Sequence, residues 1–327
     1  MWNINLTPKF KYSRWVIYPM VLAVLWPLWQ SSAFSRSYHN GFELQDPLIP
    51  ATEILHGGPP KDGIPSLDKP SYIDASEMNQ LKPNDRVLGI IYKGEARAYP
   101  IRILNYHELV NDEIAGDKIL ISFCPLCGTG MAFHAEIDGS ELEFGVSGLL
   151  YNSDVLMYDR QTESLWSQIQ AKAISGQFKG TQLKQIPIEH TTWEHWQKHL
   201  PDSQVLSFDT GHSRNYQGTP YVGYEHSERI YFPVSHEDKR YHPKELVVGV
   251  KNAKQAKAYP FSELDKTKSP LVDRFGDTQI KIHFDAKARS AKVTDMNDKA
   301  INSLTAFWFA WYAFHPETEV FEVDESR

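Results

Sequence analysis

The sequence predicts a β-rich α+β fold of two unequal tandem repeats. Each repeat is a hairpin–helix–strand unit followed by a short aromatic helix and a strand, and the first carries a long insertion. Three observations predict it. The 327 residues include 20 Pro, 19 Gly, 9 Trp, 16 Tyr and 16 Phe, a turn-rich, aromatic mixture that suits sheets better than a helical bundle. Val87-Leu-Gly-Ile and Lys93-Gly-Glu-Ala-Arg-Ala-Tyr-Pro100 return 160 positions later as Val247-Val-Gly-Val and Ala253-Lys-Gln-Ala-Lys-Ala-Tyr-Pro260. Trp193-x-x-Trp196 with Pro201-Asp202 returns, offset by 115, as Trp308-x-x-Trp311 with Pro316-Glu317.

The elements follow in chain order. Lys9, Lys11 and Arg14 precede an apolar run, Val16 to Trp29, shorter than the roughly 20 residues of a spanning helix. Ser31 and Ala33 supply small residues for a cut after Ala33. The order basic, apolar, small is that of a secretory signal, so residues 1–33 are expected to be a signal peptide or an uncleaved signal anchor. Both readings export the rest of the chain, to the periplasm or to a membrane-anchored position outside the cytoplasm. Residues 34–56 are expected to form a linker, 57–216 a first half, and 217–327 a second, scaffold-like half.

In the first half, Gly57-Gly-Pro-Pro-Lys-Asp-Gly63-Ile-Pro65 reads as a turn region. Val87–Tyr92 and Ala96–Tyr99 flank the turn-compatible Lys93-Gly94, a hairpin pattern. Ile101–Val110 has a helical apolar face, and Lys118–Phe123 is a buried-strand run. Thr129–Phe144 reads as two strands around Asp138-Gly139. The aromatic helix beginning at Trp193 has Thr191 or Thr192 as N-cap. Phe123 and Trp193 are 70 positions apart, but Phe284 and Trp308 only 24. The surplus in the first half is polar and lies next to the two cysteines. Chemistry is therefore expected in the first half.

Charge excludes some classes. Lys plus Arg is 34 against 41 Asp plus Glu, a net charge of −7, which is not the basic footprint of a nucleic-acid binder. Two cysteines three positions apart exclude a disulfide-stapled scaffold. There is no phosphate-cradling glycine loop, no dinucleotide fingerprint and no nucleophile elbow around Ser147.

Cys124-Pro-Leu-Cys127-Gly128 follows a strand and leads into another. In thioredoxin-type sites the dithiol opens a helix that lowers a thiol pKa, so that reading has weak support. Cys-Pro-x-Cys-Gly is the local pattern of a metal knuckle, in which Gly permits the positive φ that aims N–H groups at sulfur. Zinc or copper would need further ligands. His107 is the first candidate, with Met131 and His134 weaker ones at copper-like spacing. A plain disulfide in an oxidising compartment is the alternative. In the insertion, Asp154, Asp159 and Glu163 are candidate acid–base carboxylates of a hydrolase. Asn152, Ser153, Arg160, His212 and Arg214 are candidate ligand- or anion-binding groups.

The blocks Gly57–Pro65, Ala96–Pro100, Phe123–Gly128, Phe144-Gly-Val-Ser-Gly-Leu-Leu-Tyr-Asn-Ser-Asp154, Met157–Gln168 and Trp308–Trp311 resemble domain-of-unknown-function family 3179, over roughly residues 50 to 321. The resemblance brings no activity, substrate or cofactor. It implies that the cysteine block and the Tyr-Asn-Ser-Asp block belong together. Met131 and His134 stand outside the family's pattern, which favours His107 as the extra ligand. The expectation is a metal-binding or thiol-redox protein outside the cytoplasm, with the hydrolase and a non-catalytic partner module as competing classes. Its partner would be a small molecule or a protein, with no nucleic acid, and with the membrane only through the N-terminal segment.

Overall fold

The computed structural model describes residues 37–324; the expected export segment lies outside them. Among the described residues no helix is long and apolar enough to cross a membrane.

The structure corrects the predicted architecture. Five β-sheets form a propeller-like arrangement, and among the described residues the α-helices are only four short segments: α1 (Ile101–His107), α2 (Trp193–His199), α3 (Phe261–Leu264) and α4 (Trp308–Phe314). In sheet order, the first sheet is Glu189–Thr192, Arg86–Tyr92, Glu95–Pro100, Gln204–Leu206 and Tyr72–Asp74. The second is Gln185–Ile186, Thr129–His134, Asp117–Cys124 and Leu109–Ile114. The third is Lys172–Ser175, Leu165–Ser167, Asp154–Asp159, Phe144–Tyr151 and Ile54–His56. The fourth is Ser303–Phe307, Leu246–Lys251, Ala256–Pro260 and Glu319–Val320, and the fifth Leu271–Phe275, Thr278–Asp285 and Ser290–Asp295.

Two tandem hairpin–helix units therefore do not describe the molecule, because order along the chain is not order in the sheets. The strand that follows the aromatic helix returns to the first sheet and pairs in parallel with the hairpin, Gln204 opposite Arg97. The strand that follows α1 leaves for a different sheet. The insertion is not a long loop: its strands and Ile54–His56 make the whole third sheet.

The sequence duplication has a structural counterpart at the level of sheets. Val87 pairs with Pro100 in the first sheet as Val247 pairs with Pro260 in the fourth. Thr192 stands opposite Arg86 as Phe307 stands opposite Leu246. The parallel closing strand recurs, with Lys257 opposite Glu319. Each sheet carries a tryptophan over a glycine: a Cβ on Gly89 would lie 2.0 Å from the Trp196 ring, and one on Gly249 2.1 Å from the Trp311 ring. The three antiparallel strands of the fifth sheet repeat Leu109–Ile114, Asp117–Cys124 and Thr129–His134 of the second.

The largest apolar cluster joins the second, third and fourth sheets. Phe133, Phe144, Met157, Trp166, Phe307 and Trp308 are buried in it, and both cysteines lie in the same cluster. The turn region Gly57–Pro65 seals the third sheet through Gly57 N to Gly148 O (2.8 Å) and Asp62 N to Val146 O (2.9 Å).

Candidate metal centre

The strand Asp117–Cys124 is buried at its last six residues, so it runs through the core and delivers Cys124 there. Cys124 pairs with Thr129, which leaves Pro125-Leu126-Cys127-Gly128 as the connection between strands. Gly128 adopts φ +61°, where a side chain is strained, and a Cβ would meet the Phe307 ring at 2.9 Å. The loop is pinned to the fourth sheet by Phe307 N donating to Cys127 O (2.8 Å).

The second wall is the hairpin turn of the third sheet. Asn152 (φ +51°) and Ser153 (φ +65°) are both left-handed, and Tyr151 pairs with Asp154 across them. Two successive positive φ values match the twist of the flanking strands. The Asn152 side chain anchors the turn: Oδ1 accepts from Ser235 N (2.7 Å) and Ser235 Oγ (2.8 Å), while Nδ2 donates to Ala313 O (3.3 Å). The Ser153 carbonyl so placed accepts from the thiols of Cys127 (3.3 Å) and Cys124 (3.8 Å). The cysteine block and the Tyr-Asn-Ser-Asp block therefore meet in space.

Asp154 completes the group. Its Oδ2 accepts from Ile169 N (3.1 Å), while Oδ1 is buried with no hydrogen-bond partner. Both Sγ atoms and one Asp154 carboxylate oxygen lie within 4.8 Å of one another. Ser153 Oγ and Gln168 Oε1 are buried without partners at the neighbouring positions. Unmatched acceptors at such density are costly in a core.

The electrostatics are those of acids with too little water. Burial pushes both thiols up and the Asp154 carboxyl up to about 7, although the Ile169 N–H opposes the latter shift. Glu108, at the C-terminus of α1 with φ +58° and ψ −37°, is also buried. Burial, with the charge of Asp154, pushes its carboxyl up to about 8. Two lysines stand nearby. Lys251 donates to Ile169 O (2.7 Å); burial draws it down to about 8, against the pull of Asp154. Lys244 lies 4.2 Å over the Tyr224 ring and donates to Arg229 O (3.0 Å); burial draws it down to about 8, against the pull of Cys127.

The other expected residues are dispersed. His107 is fully buried, with Nδ1 on Pro65 O (2.8 Å) and Nε2 on Tyr216 Oη (2.6 Å), so both ring nitrogens are occupied; burial lowers its pKa to about 4. Met131 is buried in the cysteines' apolar cluster. His134, at the far end of its strand from Thr129, packs edge-on against Tyr92. The three insertion carboxylates do not converge. Asp159 accepts from Trp166 Nε1 (2.9 Å), Thr162 N (2.7 Å) and Thr162 Oγ1 (2.8 Å) at the opposite end of the strand from Asp154. Glu163 is exposed and paired with Lys61 (2.5 Å). Arg160 binds Asp68 (3.1 Å) and Ser66 Oγ (2.8 Å). His212 is exposed beside the His107 ring, and Arg214 is exposed on Ser213 O (3.1 Å).

Sequence reasoning did not single out Glu108, Lys244 or Lys251 for the site. A signal existed for Glu108: the position 160 residues on is Lys268, so the acid is particular to the first copy. None existed for the lysines, which reach the cysteines only through the packing of the fourth sheet.

The family described as "Protein of unknown function (DUF3179)" matches residues 61–318, most of the chain, and the chain belongs to that family. Searches of curated proteins and of solved structures gave no match.

Proposed function

We propose that this DUF3179 protein is a metal-binding protein whose ion lies between Cys124 Sγ, Cys127 Sγ and the Asp154 carboxylate. One observation carries the reading: a carboxylate oxygen of Asp154 lies with two buried thiols, all within 4.8 Å of one another, and the same carboxylate has an oxygen buried without a partner. Two thiolates and a carboxylate suit zinc, a borderline-soft ion that accepts sulfur and oxygen donors at roughly 2.0–2.3 Å. Copper fits less well, because both nitrogens of His107 are occupied and His134 lies at the far end of its strand. Binding displaces the protons that burial keeps on the ligands, so affinity rises with pH. Three protein ligands leave one tetrahedral position for a small ligand, and Glu108 is the nearby acid able to exchange a proton with it.

The test is metal analysis of the full chain purified from its native compartment, beside Cys124→Ala and Asp154→Asn. About one zinc per chain, lost in Cys124→Ala and weakened in Asp154→Asn, supports the proposal. Metal-free protein that takes up neither zinc nor cobalt, or that carries a Cys124–Cys127 disulfide, overturns it. A redox role has less support, since burial keeps both thiols protonated and thiolate is the reactive form. We further propose that the protein acts outside the cytoplasm, on the basic–apolar–small order of residues 9–33. Cell fractionation that recovers the protein in the cytoplasm would end that part.

A further inference from the structure

Arg86 opens the second strand of the first sheet, opposite Thr192. It is partly buried, its Nε is fully buried without a partner, and among the described residues its guanidinium makes no hydrogen bond or ion pair. Other half-buried arginines are matched. Arg97 has Asp112 (2.6 Å), Arg102 has Asp85 (2.8 Å) and Arg160 has Asp68 (3.1 Å). A buried charge is ordinarily paired, because nothing else offsets the loss of its hydration.

The duplication shows what faces Arg86. In the second sheet the connection Pro125–Gly128 joins Cys124 to Thr129 and rests on Phe307 of the fourth sheet. In the fifth sheet the connection 286–289 joins Asp285 to Ser290 in the same register, and its last residue is Arg289, with φ +47° where Gly128 has +61°. Phe307 and Leu246 in the fourth sheet correspond to Thr192 and Arg86 in the first. The neighbouring Ser290 Oγ donates to Glu189 Oε1 (2.7 Å), on the strand that pairs with Arg86. By this correspondence Arg289 takes the place of Gly128 against Thr192, the strand partner of Arg86, and the charges of Arg289 and Glu225 both act on Arg86.

The groups around this point do not neutralise it. Glu225 is exposed and lies 3.7 Å from Arg289. His190 accepts from Gly130 N (3.0 Å) and is kept neutral by burial. Of the two guanidinium groups, only Arg289 has a carboxylate within ion-pair distance among the described residues. Arginine presents a planar fork of donors that matches carboxylate and phosphate oxygens.

We infer that Arg86 and Arg289 form a binding site for an oxyanion group, carboxylate or phosphate, of a small ligand. Glu225 positions Arg289 when no anion is bound. Glu225 follows Tyr224, whose ring packs against Phe307 beside the cysteine loop. The site uses none of the residues proposed to hold the metal.

The test uses the full chain, titrated at constant ionic strength with inorganic phosphate, sulfate and acetate against chloride, and read by calorimetry and by Tm. Wild type binds at least one oxyanion where chloride has no effect, and Arg289→Gln weakens that binding at least tenfold. Arg86→Gln abolishes it and raises Tm in the anion-free protein, because it removes an unpaired charge. If Arg86→Gln fails to fold, Arg289→Gln, at an exposed position, still decides. The acetate and phosphate arms separate carboxylate from phosphate ligands. No response beyond chloride in wild type, meaning a hydrated arginine only, overturns the inference, as does an anion response that survives Arg289→Gln. Loss of zinc from Cys124→Ala with the anion response intact separates the two sites.

Discussion

Substituting alanine for Gly89 or Gly249 tests the packing on which the sheet arrangement rests. Neither glycine has a positive φ, so the backbone accepts alanine and only space is at issue. The new methyl on Gly249 would lie 2.1 Å from Trp311 Cζ3 and 2.3 Å from Cη2, and that on Gly89 2.0 Å from Trp196 Cζ3. Carbon atoms pack at about 3.5–4.0 Å, so each ring must retreat by roughly 1.5 Å. Neither ring is free to do so: Trp311 Nε1 donates to Thr318 Oγ1 (3.0 Å), Trp196 Nε1 to Ser203 Oγ (2.9 Å), and both indoles are buried. Overpacking costs about 1–3 kcal/mol, and an indole N–H torn from its acceptor in a core adds about 1–3 kcal/mol. Each variant should therefore lose about 2–6 kcal/mol in urea unfolding. Pairing Gly249→Ala with Trp311→Phe should recover about 1 kcal/mol or more relative to the sum of the single changes, since the two sites share one clash. A Gly249→Ala variant within about 0.5 kcal/mol of wild type, or strict additivity in the double variant, would refute the packing argument.

In metal-free protein, Asp154 rises from 3.8 unfolded to about 7 folded. A carboxyl with a raised folded pKa contributes stability that is full below about pH 4 and lost as pH climbs through about 7. Wild type should therefore lose ~1.4 kcal/mol per pH unit between pH 4 and 7 relative to Asp154→Asn. The comparison is made against that variant because His107, His190 and His315, lowered by burial, lose stability in the opposite direction as pH falls. Equal pH slopes in chelator-treated protein would remove Asp154 from the buried acid group. Gly128→Ala, strained at φ +61° and pressed on Phe307, should weaken zinc retention at least tenfold in competition with a chelating dye. Tyr216→Phe strips His107 Nε2 of its partner and should cost about 1–3 kcal/mol while metal content stays unchanged; metal loss would instead place His107 at the ion.

What the residues revealed was local chemistry and duplication; what they concealed was pairing over distance. The cysteine and Tyr-Asn-Ser-Asp blocks were legible as partners, and Ser153 O on both thiols is their contact. Asp154, Asp159 and Glu163 looked like one acidic cluster because they lie within ten residues. The strand Asp154–Asp159 spans about 17 Å, so its two ends serve different sites. His107 was singled out because only the first copy has it, but its ring is claimed by Pro65 and Tyr216, 42 and 109 positions away. The apolar face of Ile101–Val110 read as one helix; the structure ends α1 at His107 and begins a strand at Leu109, with Glu108 taking the positive φ between them. The sheets were hidden for the same reason. A parallel pair such as Gln204 with Arg97 leaves no mark in periodicity, and a polar insertion looks like loop until its strands are seen to pair with each other.

The second copy repeats a turn of the first with different residues in it. The connection that carries Cys127 and Gly128 in the second sheet carries Ala288 and Arg289 in the fifth, and both end in a left-handed residue just before the returning strand. In the first case the glycine lets the loop close onto Phe307, which turns the sulfurs inward to Ser153 and Asp154. In the second, the position of the aromatic ring is taken by Thr192, whose strand neighbour is Arg86, with a partnerless Nε. One turn geometry thus presents sulfur where its neighbour sheet is apolar and a guanidinium where its neighbour sheet is cationic. Swapping the turn residues separates geometry from chemistry. Arg289→Gly should preserve the fifth sheet, because glycine accepts φ +47° at no steric cost, and should remove anion binding alone. Gly128→Arg should fail at the metal centre, because Phe307 fills the space a side chain needs. If Arg289→Gly instead unfolded the protein, Arg289 would be a structural strut and the turn equivalence would have no functional meaning.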